Sequence, residues 1–386
     1  SFFCMKRRGS KMEQDVFYMR QAMELAEKGR GATNPNPMVG AVVVKEGRII
    51  GSGYHAKYGE LHAERNALSD CRRRGEDTRG ATIYVTLEPC CHYGKTPPCT
   101  EAILEAGISR VVVGARDSNP KVSGGGIALL QQHGIEVTEG VLEEECRRQN
   151  RIFFHYMEQK MPYVILKYAM TLDGKIATVS GKSKWITCEE ARKHVHNLRR
   201  ECMGIMVGVG TILEDDPMLN CRLPDAKDPI RIICDTNLST PLDSQVVKTA
   251  KKQPTILATC VEEETRQQEY RDRGCEVLVV PKKDGKVDLR ALMKCLAEKG
   301  IDSILLEGGG TLNDSALQSG IVKEIHAYVA PKLFGGATAK TPVMGCGVTT
   351  PDEAYLLQNV RVEPVGTDYV WIGELCERRQ TCLPEL

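Results

Sequence analysis

The sequence predicts an α/β protein in two domains, on three observations. A hairpin pattern near the start is followed by alternating helical and strand-like runs, which calls for a mixed sheet with helices on both faces. The alternation breaks at Lys160-Met161-Pro162, where a polar helix meets a proline and a new apolar strand begins. At 386 residues the chain is also about twice the usual domain size, so two separate cores are expected.

The elements follow in order. Phe17, Ala22, Leu25 and Ala26 recur at helical spacing between Gln14 and Lys28, and Gly29 supplies a stop. Val39–Val44 and Ile49–Tyr54 are β-rich runs joined by Lys45-Glu46-Gly47-Arg48, a hairpin. Helices are expected over 62–71, 97–106, 126–133 and 142–159, and strands over 81–87, 110–115 and 136–141. Beyond Pro162 strands are expected over 163–168, 204–209, 230–235, 255–259, 276–280, 303–306 and 325–331. Helices are expected over 188–202 and 288–298, and residues 360–375 are strand-rich. The halves share no repeat, so the domains are read as unrelated: 12–160 and 161–376, flanked by a disordered extension (1–11) and a tail (377–386).

Composition excludes several classes. With 52 Lys plus Arg against 51 Asp plus Glu, the net charge of +1 provides no global steering toward nucleic acid or membrane. Sixteen cysteines are scattered through apolar and helical stretches, which argues for reduced thiols in the cytoplasm. The apolar run Phe2-Phe3-Cys4-Met5 is too short for a signal-peptide core, and no later run reaches membrane length.

The chemistry concentrates in His62-Ala63-Glu64 and in the stretch from Pro89 to Cys99. A catalytic zinc needs three protein ligands, an open position for water and a base for its proton. His62, Cys90 and Cys99 are assigned as ligands and Glu64 as the proton shuttle of a hydrolytic deaminase. The deaminase signature H-x-E…P-C-x-x-C is met except that eight residues separate the cysteines. Cys91 and His92 are rival ligands; adjacent side chains diverge, so Cys91 is read as packing or facing substrate. The bland alternative is a closed structural zinc or metal-free thiols, neither of which calls for the carboxylate of Glu64.

Thr33-Asn34-Pro35-Asn36-Pro37-Met38-Val39-Gly40, His55, His62-Ala63-Glu64, Glu88-Pro89-Cys90, Gly94-Lys95-Thr96-Pro97-Pro98-Cys99 and Asp117-Ser118-Asn119-Pro120 resemble the deaminase half of the bifunctional riboflavin-biosynthesis deaminase/reductase family. The resemblance implies a cytidine-deaminase-like, three-layer domain acting on a diaminopyrimidinone that carries a ribosylamino phosphate. It implies that Asn36, His55, His92 and Lys95 hold base or phosphate. Cys91 stands where the family usually has Ser.

In the second half, Lys167 follows a buried apolar run and is either a rim charge or a group aimed into a cleft. Gly208-Val209-Gly210-Thr211 and Glu307-Gly308-Gly309-Gly310-Thr311 place glycines after strands, where backbone can approach a phosphate. Each cluster alone is weak; two in one domain suggest a nucleotide cleft. With Gly181 to Thr187 they resemble the reductase half of the same family, whose fold is similar to dihydrofolate reductase. That implies NADPH against Ala169, Trp185, Thr211, Asp215, Gly308, Gly309, Gly310 and Thr311. Ser183, Arg199, Leu219, Arg222 and Glu307 would face substrate, with Lys167 and Asp215 at catalytic positions. Leu219-Asn220-Cys221-Arg222 departs from the family's Leu-Thr-x-Arg by a polar replacement.

The expected protein is a cytoplasmic, homo-oligomeric enzyme of a small phosphorylated pyrimidine, using Zn²⁺ and then NADPH. A deaminase of nucleic acid would need a basic, aromatic-rich face, whereas aromatics are only 5% of this chain. A non-enzymatic zinc module is the second rival.

Overall fold

The computed structural model describes residues 10–94, 97–119 and 122–376. The chain divides between Gln159 and Lys160 into two compact units.

The first unit comprises α1 (Lys11–Ala26), β1 (Gly40–Lys45), β2 (Arg48–Tyr54), α2 (Ala63–Arg73), β3 (Thr82–Leu87) and α3 (Cys99–Glu105). There follow β4 (Arg110–Ala115), α4 (Gly125–Gln132), β5 (Glu136–Thr138), α5 (Glu143–Gln149) and α6 (Arg151–Gln159). The five strands run in the order β2-β1-β3-β4-β5, with β1 antiparallel to both neighbours and β3, β4 and β5 parallel. This is the expected mixed sheet. Glu46 and Gly47 both have positive φ, as a tight hairpin turn requires. The first helix starts three residues earlier than its apolar pattern, because Ser10 and Glu13 form a capping box. Residues 1–9 and the tail from 377 lie outside the described residues.

One helix was expected over 142–159, and there are two. Asn150 interrupts it: its buried side chain accepts a hydrogen bond from Met38 N and donates one to Met38 O, each 2.8 Å long. A side-chain amide here serves as a strand partner for the backbone of residue 38.

Packing of helices on the sheet depends on missing side chains. A Cβ on Gly40 would run into the Ala22 carbonyl of α1, and one on Gly53 would lie 2.7 Å from the Ala63 carbonyl of α2. Under α1, Arg110 makes two hydrogen bonds to Asp15, of 2.8 and 2.7 Å, and Tyr84 OH adds a third at 2.9 Å.

The second unit comprises β6 (Tyr163–Thr171), α7 (Glu189–Glu201), β7 (Gly204–Gly208), α8 (Val209–Asp215), β8 (Ile230–Cys234), α9 (Gln245–Lys248) and β9 (Thr255–Thr259). It continues with α10 (Glu264–Arg271), β10 (Glu276–Val279), β11 (Lys282–Lys283), β12 (Lys286–Val287), α11 (Leu289–Glu298) and β13 (Ser303–Leu306). It ends with α12 (Gly310–Ser319), β14 (Val322–Ala330), β15 (Leu357–Val365) and β16 (Asp368–Leu375). The large sheet runs β10-β9-β8-β7-β13-β6-β14-β16-β15, parallel as far as β14 and antiparallel thereafter. One face buries α11 and α12 against Leu166, Met206 and Ile304; the other buries α8, α9 and α10 against Ile205, Ile233 and Leu257. The glycine stretches expected as loops hold helix starts: α8 begins directly after β7 with Gly208 as its N-cap, and α12 begins after a three-residue gap from β13 with Gly309 as its N-cap.

The seating of α2 is testable. Gly53→Ala should destabilise the first unit by about 1–3 kcal/mol in urea denaturation, the usual cost of overpacking. A change below roughly 0.5 kcal/mol, the range of neutral surface substitutions, would show that α2 shifts freely.

Two candidate active sites

His62 immediately precedes α2, so Glu64 sits in that helix's first turn; Cys90 follows β3, and Cys99 opens α3. These elements bring His62, Cys90 and Cys99 together, their donor atoms all within 4.8 Å of one another. His62 Nδ1 lies 3.5 Å from Cys90 Sγ and 3.4 Å from Cys99 Sγ. Arg65 locks the intervening loop to α2, donating to the carbonyls of Pro97 at 3.0 Å and Pro98 at 2.7 Å. The hydrogen bond from Cys99 pulls the Cys90 thiol down to about 4, with His62 adding to the effect against burial. The bond to Cys90 holds Cys99 well above the usual thiol range. One thiolate, a second sulfur and an imidazole nitrogen at this spacing fit a zinc ion and leave its fourth position open.

Beside them Glu64 is buried, and burial pushes its carboxyl up to about 7. A cavity of about 250 Å³ opens in front, lined by Asn36, His55, His62, Glu64, Cys90 and His92. Leu61 O lies 3.1 Å from His55 Nδ1, and Asn36 Nδ2 lies 3.3 Å from His55 Nε2. An acceptor faces Nδ1 and a donor faces Nε2, so the ring is neutral with its proton on Nδ1; burial lowers its pKa accordingly. His92 Nδ1 is buried without a partner among the described residues, a group suited to a ligand. Cys91 lies against α4, its Sγ 3.0 Å from where a Cβ on Gly125 would stand. Lys95 lies outside the described residues.

Two residues here had no role in the sequence reading. Glu88 is buried and accepts backbone N–H bonds from Asp117 (3.4 Å), Gly124 (3.0 Å), Gly126 (3.0 Å) and Ile127 (3.2 Å). It thereby ties the start of α4 to the strand end that carries Cys90. Asp117 also lines the cavity, and burial raises its carboxyl to about 6. Both stand in stretches that carry the family resemblance, Glu88-Pro89-Cys90 and Asp117-Ser118-Asn119-Pro120, but no spacing rule assigns either one a role.

The second site has two parts. In the first, Arg199 on α7 donates to both oxygens of Glu307, at 2.9 and 3.1 Å, and Lys167 Nζ lies 3.7 Å away. Burial works to raise the Glu307 carboxyl, but Arg199 and Lys167 outweigh it and hold it at about 2. Arg199 also donates to the Asn220 carbonyl at 2.8 Å, which seats Leu219 and Asn220 beside the pair. Arg222 reaches both ring nitrogens of His196, through its backbone N at 3.2 Å and its Nε at 3.1 Å. The ring is buried next to Arg199 and Arg222, and burial first, then those charges, lower its pKa to about 4.

The second part is a cavity of about 370 Å³ at the carboxyl ends of β7, β8 and β13. Thr211, Gly309, Gly310 and Thr311 line it. A Cβ added to Gly210 or Gly309 would meet nothing within 4 Å, so bare backbone faces open space. That cradle, at the start of α12, fits the phosphates of a dinucleotide such as NADPH. Gly308 lies behind it, against Leu312 and Asn313. Ala169 packs under α7, Ser183 is half-buried, Asp215 pairs with Lys184 at 3.6 Å, and Arg192 stacks 4.5 Å over the exposed Trp185 ring. The structure thus joins Lys167, Arg199 and Glu307, while Asp215 and Trp185 occupy separate contacts.

Residues 12–115 match the family described as the cytidine and deoxycytidylate deaminase zinc-binding region, and residues 162–371 the RibD C-terminal domain. The riboflavin biosynthesis protein RibD of Actinobacillus pleuropneumoniae is 53% identical over 365 residues, covering 94% of this chain and 96% of that protein. Its counterpart in Escherichia coli K12 is 42% identical over 336 residues, covering 83% of this chain and 89% of that one. Among solved structures, the Thermotoga maritima diaminohydroxyphosphoribosylaminopyrimidine deaminase/5-amino-6-(5-phosphoribosylamino)uracil reductase superposes with a TM-score of 0.82. It is 39% identical and covers 95% of this chain and 100% of that chain. Acinetobacter baumannii RibD superposes with a TM-score of 0.85 at 35% identity, over 95% of this chain and 100% of that chain.

Because the folded state favours neutral His196, its contribution is complete above the unfolded pKa of 6.5 and is lost as pH falls toward about 4. Denaturation midpoints of the parent should therefore fall more steeply over that window than those of His196→Gln. Parallel curves would remove His196 as the source.

Proposed function

The chain belongs to the RibD family of bifunctional riboflavin-biosynthesis enzymes, a pyrimidine deaminase joined to a reductase, and we propose that each unit's site carries one of the two reactions. The observation that supports the first assignment is the gathering of His62, Cys90 and Cys99 beside buried Glu64 in one cavity. A zinc ion held by those three residues supplies Lewis-acid activation of water at neutral pH. Glu64 takes the proton lost as the water oxygen adds to the ring carbon bearing the amino group. It returns that proton to the ring nitrogen and then helps protonate the departing amine. Burial raises the Glu64 carboxyl above its usual range, which favours its holding the proton between the two transfers. Asn36, His55 and His92 hold the pyrimidine, and Lys95 its phosphate.

The deaminated product, still bearing its ribosyl phosphate, is the substrate of the second unit. NADPH supplies the hydride that converts ribosyl to ribityl. Lys167, Arg199 and Glu307 form the polar floor on which the sugar is oriented; Glu307 stays ionised and so accepts hydrogen bonds from sugar hydroxyls. Arg222 and Ser183 hold the phosphate end, Leu219 contacts the substrate, and Asp215 and Trp185 flank the cofactor with Ala169 and Thr211.

The partner is a small phosphorylated pyrimidine rather than nucleic acid or membrane. No helix among the described residues is long and apolar enough to cross a bilayer. The described cysteines are free thiols, which suits the cytoplasm. A homo-oligomer is supported by the β15–β16 hairpin, where Val362 pairs across to Trp371 and both are exposed with Tyr369.

Glu64→Gln should retain zinc by metal analysis yet lose ammonia release by at least about a hundredfold, the low end of what a proton shuttle contributes. Unchanged ammonia release would overturn the deaminase mechanism. For the reductase, NADPH should quench tryptophan emission from Trp185 or raise the second unit's unfolding midpoint. No effect at saturating cofactor would sink that assignment.

A further inference from the structure

The cofactor cavity has a basic far wall that the two reactions leave unexplained. Its near side follows Glu307 directly through the glycines of residues 308–310. Two strands over, past the end of β8, it is lined by Thr236, Lys286, Val287 and Leu289, with Ser315 of α12 reached by Lys286. Lys286 stands on the small β11–β12 hairpin with Lys282 and Lys283, all three exposed. That hairpin is fixed in place. Asp284 and Gly285 adopt the positive φ of a tight turn, Val287 N donates to Thr236 Oγ1 at 3.3 Å, and Asp288 caps α11.

Two lysines line the cavity, and their partners differ. Lys340 forms an ion pair with Glu214 across the cavity rim. Lys286 donates to Ser315 Oγ at 3.3 Å and forms no ion pair among the described residues. It is therefore the cavity lysine with charge to spare for a ligand. A nicotinamide must lie toward Lys167, Arg199 and Glu307 to meet the substrate, and the start of α12 suits the pyrophosphate. The adenosine end then falls on the far wall, where the feature that separates NADPH from NADH is a ribose phosphate.

We propose that Lys286 receives that ribose phosphate and sets the preference of this chain for NADPH over NADH. The proposal rests on the reading of this cavity as the cofactor site. The flexible ammonium acts as a point charge, steered toward the cavity by Ser315.

Calorimetric titration of the full chain with NADPH and with NADH tests it without turnover. A charge-assisted hydrogen bond contributes roughly 1.5–3 kcal/mol, so Lys286→Ala should weaken NADPH binding by about tenfold or more. Binding of NADH should stay within about twofold of the parent, and Lys286→Arg should restore most of the NADPH affinity. Equal weakening of both dinucleotides by Lys286→Ala, or an unchanged NADPH preference, overturns the assignment. Gly309→Val separates the underlying reading, because its side chain would enter the cavity and should abolish binding of both dinucleotides. If the parent binds neither, or Gly309→Val leaves both unaffected, the cavity is not the cofactor site and the proposal falls with it. If Gly309→Val blocks both while Lys286→Ala leaves selectivity intact, only the role of Lys286 is lost.

Discussion

The first site depends on how closely α2 lies against β2. With glycine at 51 and 53 the helix sinks onto the strand backbone, and its first turn arrives where the loop after β3 ends. His62 and Glu64 then need no long reach: one is the residue before the helix and the other its second residue. The same helix sends Arg65 to the loop carbonyls of Pro97 and Pro98, so a single element places one donor, the carboxylate and the approach to Cys99. Interiors are close-packed, and a shift of α2 by the width of a methyl group would spread all three.

The second unit uses a different constraint. Its site is held by a desolvated ion pair, Arg199 with Glu307, to which Lys167 adds a second positive charge. Burial alone would neutralise Glu307; two cations keep it charged, and bidentate geometry fixes its direction. Nearby, His196 is kept neutral by burial first and then by the same positive surroundings, so both titratable groups of the cluster are held deprotonated, one as an anion and the other uncharged. Binding of an anionic sugar phosphate is favoured by such a surplus of positive charge.

Much of this was legible in sequence because it is local. The hairpin at Glu46-Gly47, the alternation of strands and helices, and the grouping of His62, Glu64, Cys90 and Cys99 all follow from short patterns. What escaped was long-range or looked like something else. The role of Asn150 depends on a backbone 112 residues away. Glu88 stands in the Glu88-Pro89-Cys90 stretch, but its role shows only when three N–H groups from the start of α4 and one from Asp117 converge on it. The starts of α8 and α12 read as loops because glycine is a poor helix former, yet in α12 tertiary packing demands it: a side chain on Gly310 would run into Thr341 and Met344. Lys286 sits on strands of two residues each, too short to leave a periodic trace.

The clasp of Asn150 on Met38 sets where the deaminase half can be cut. Met38 follows Asn36 and Pro37, which line the cavity, while Asn150 stands between the unit's last two helices. A fragment ending after β5 would keep every proposed zinc ligand and all five strands, yet release the strip of backbone that carries Asn36. Dissecting the activities genetically therefore requires a boundary beyond α6, even though the proposed metal ligands end at Cys99. Those final helices belong to the support of the Asn36 strip as much as to the core of their own unit.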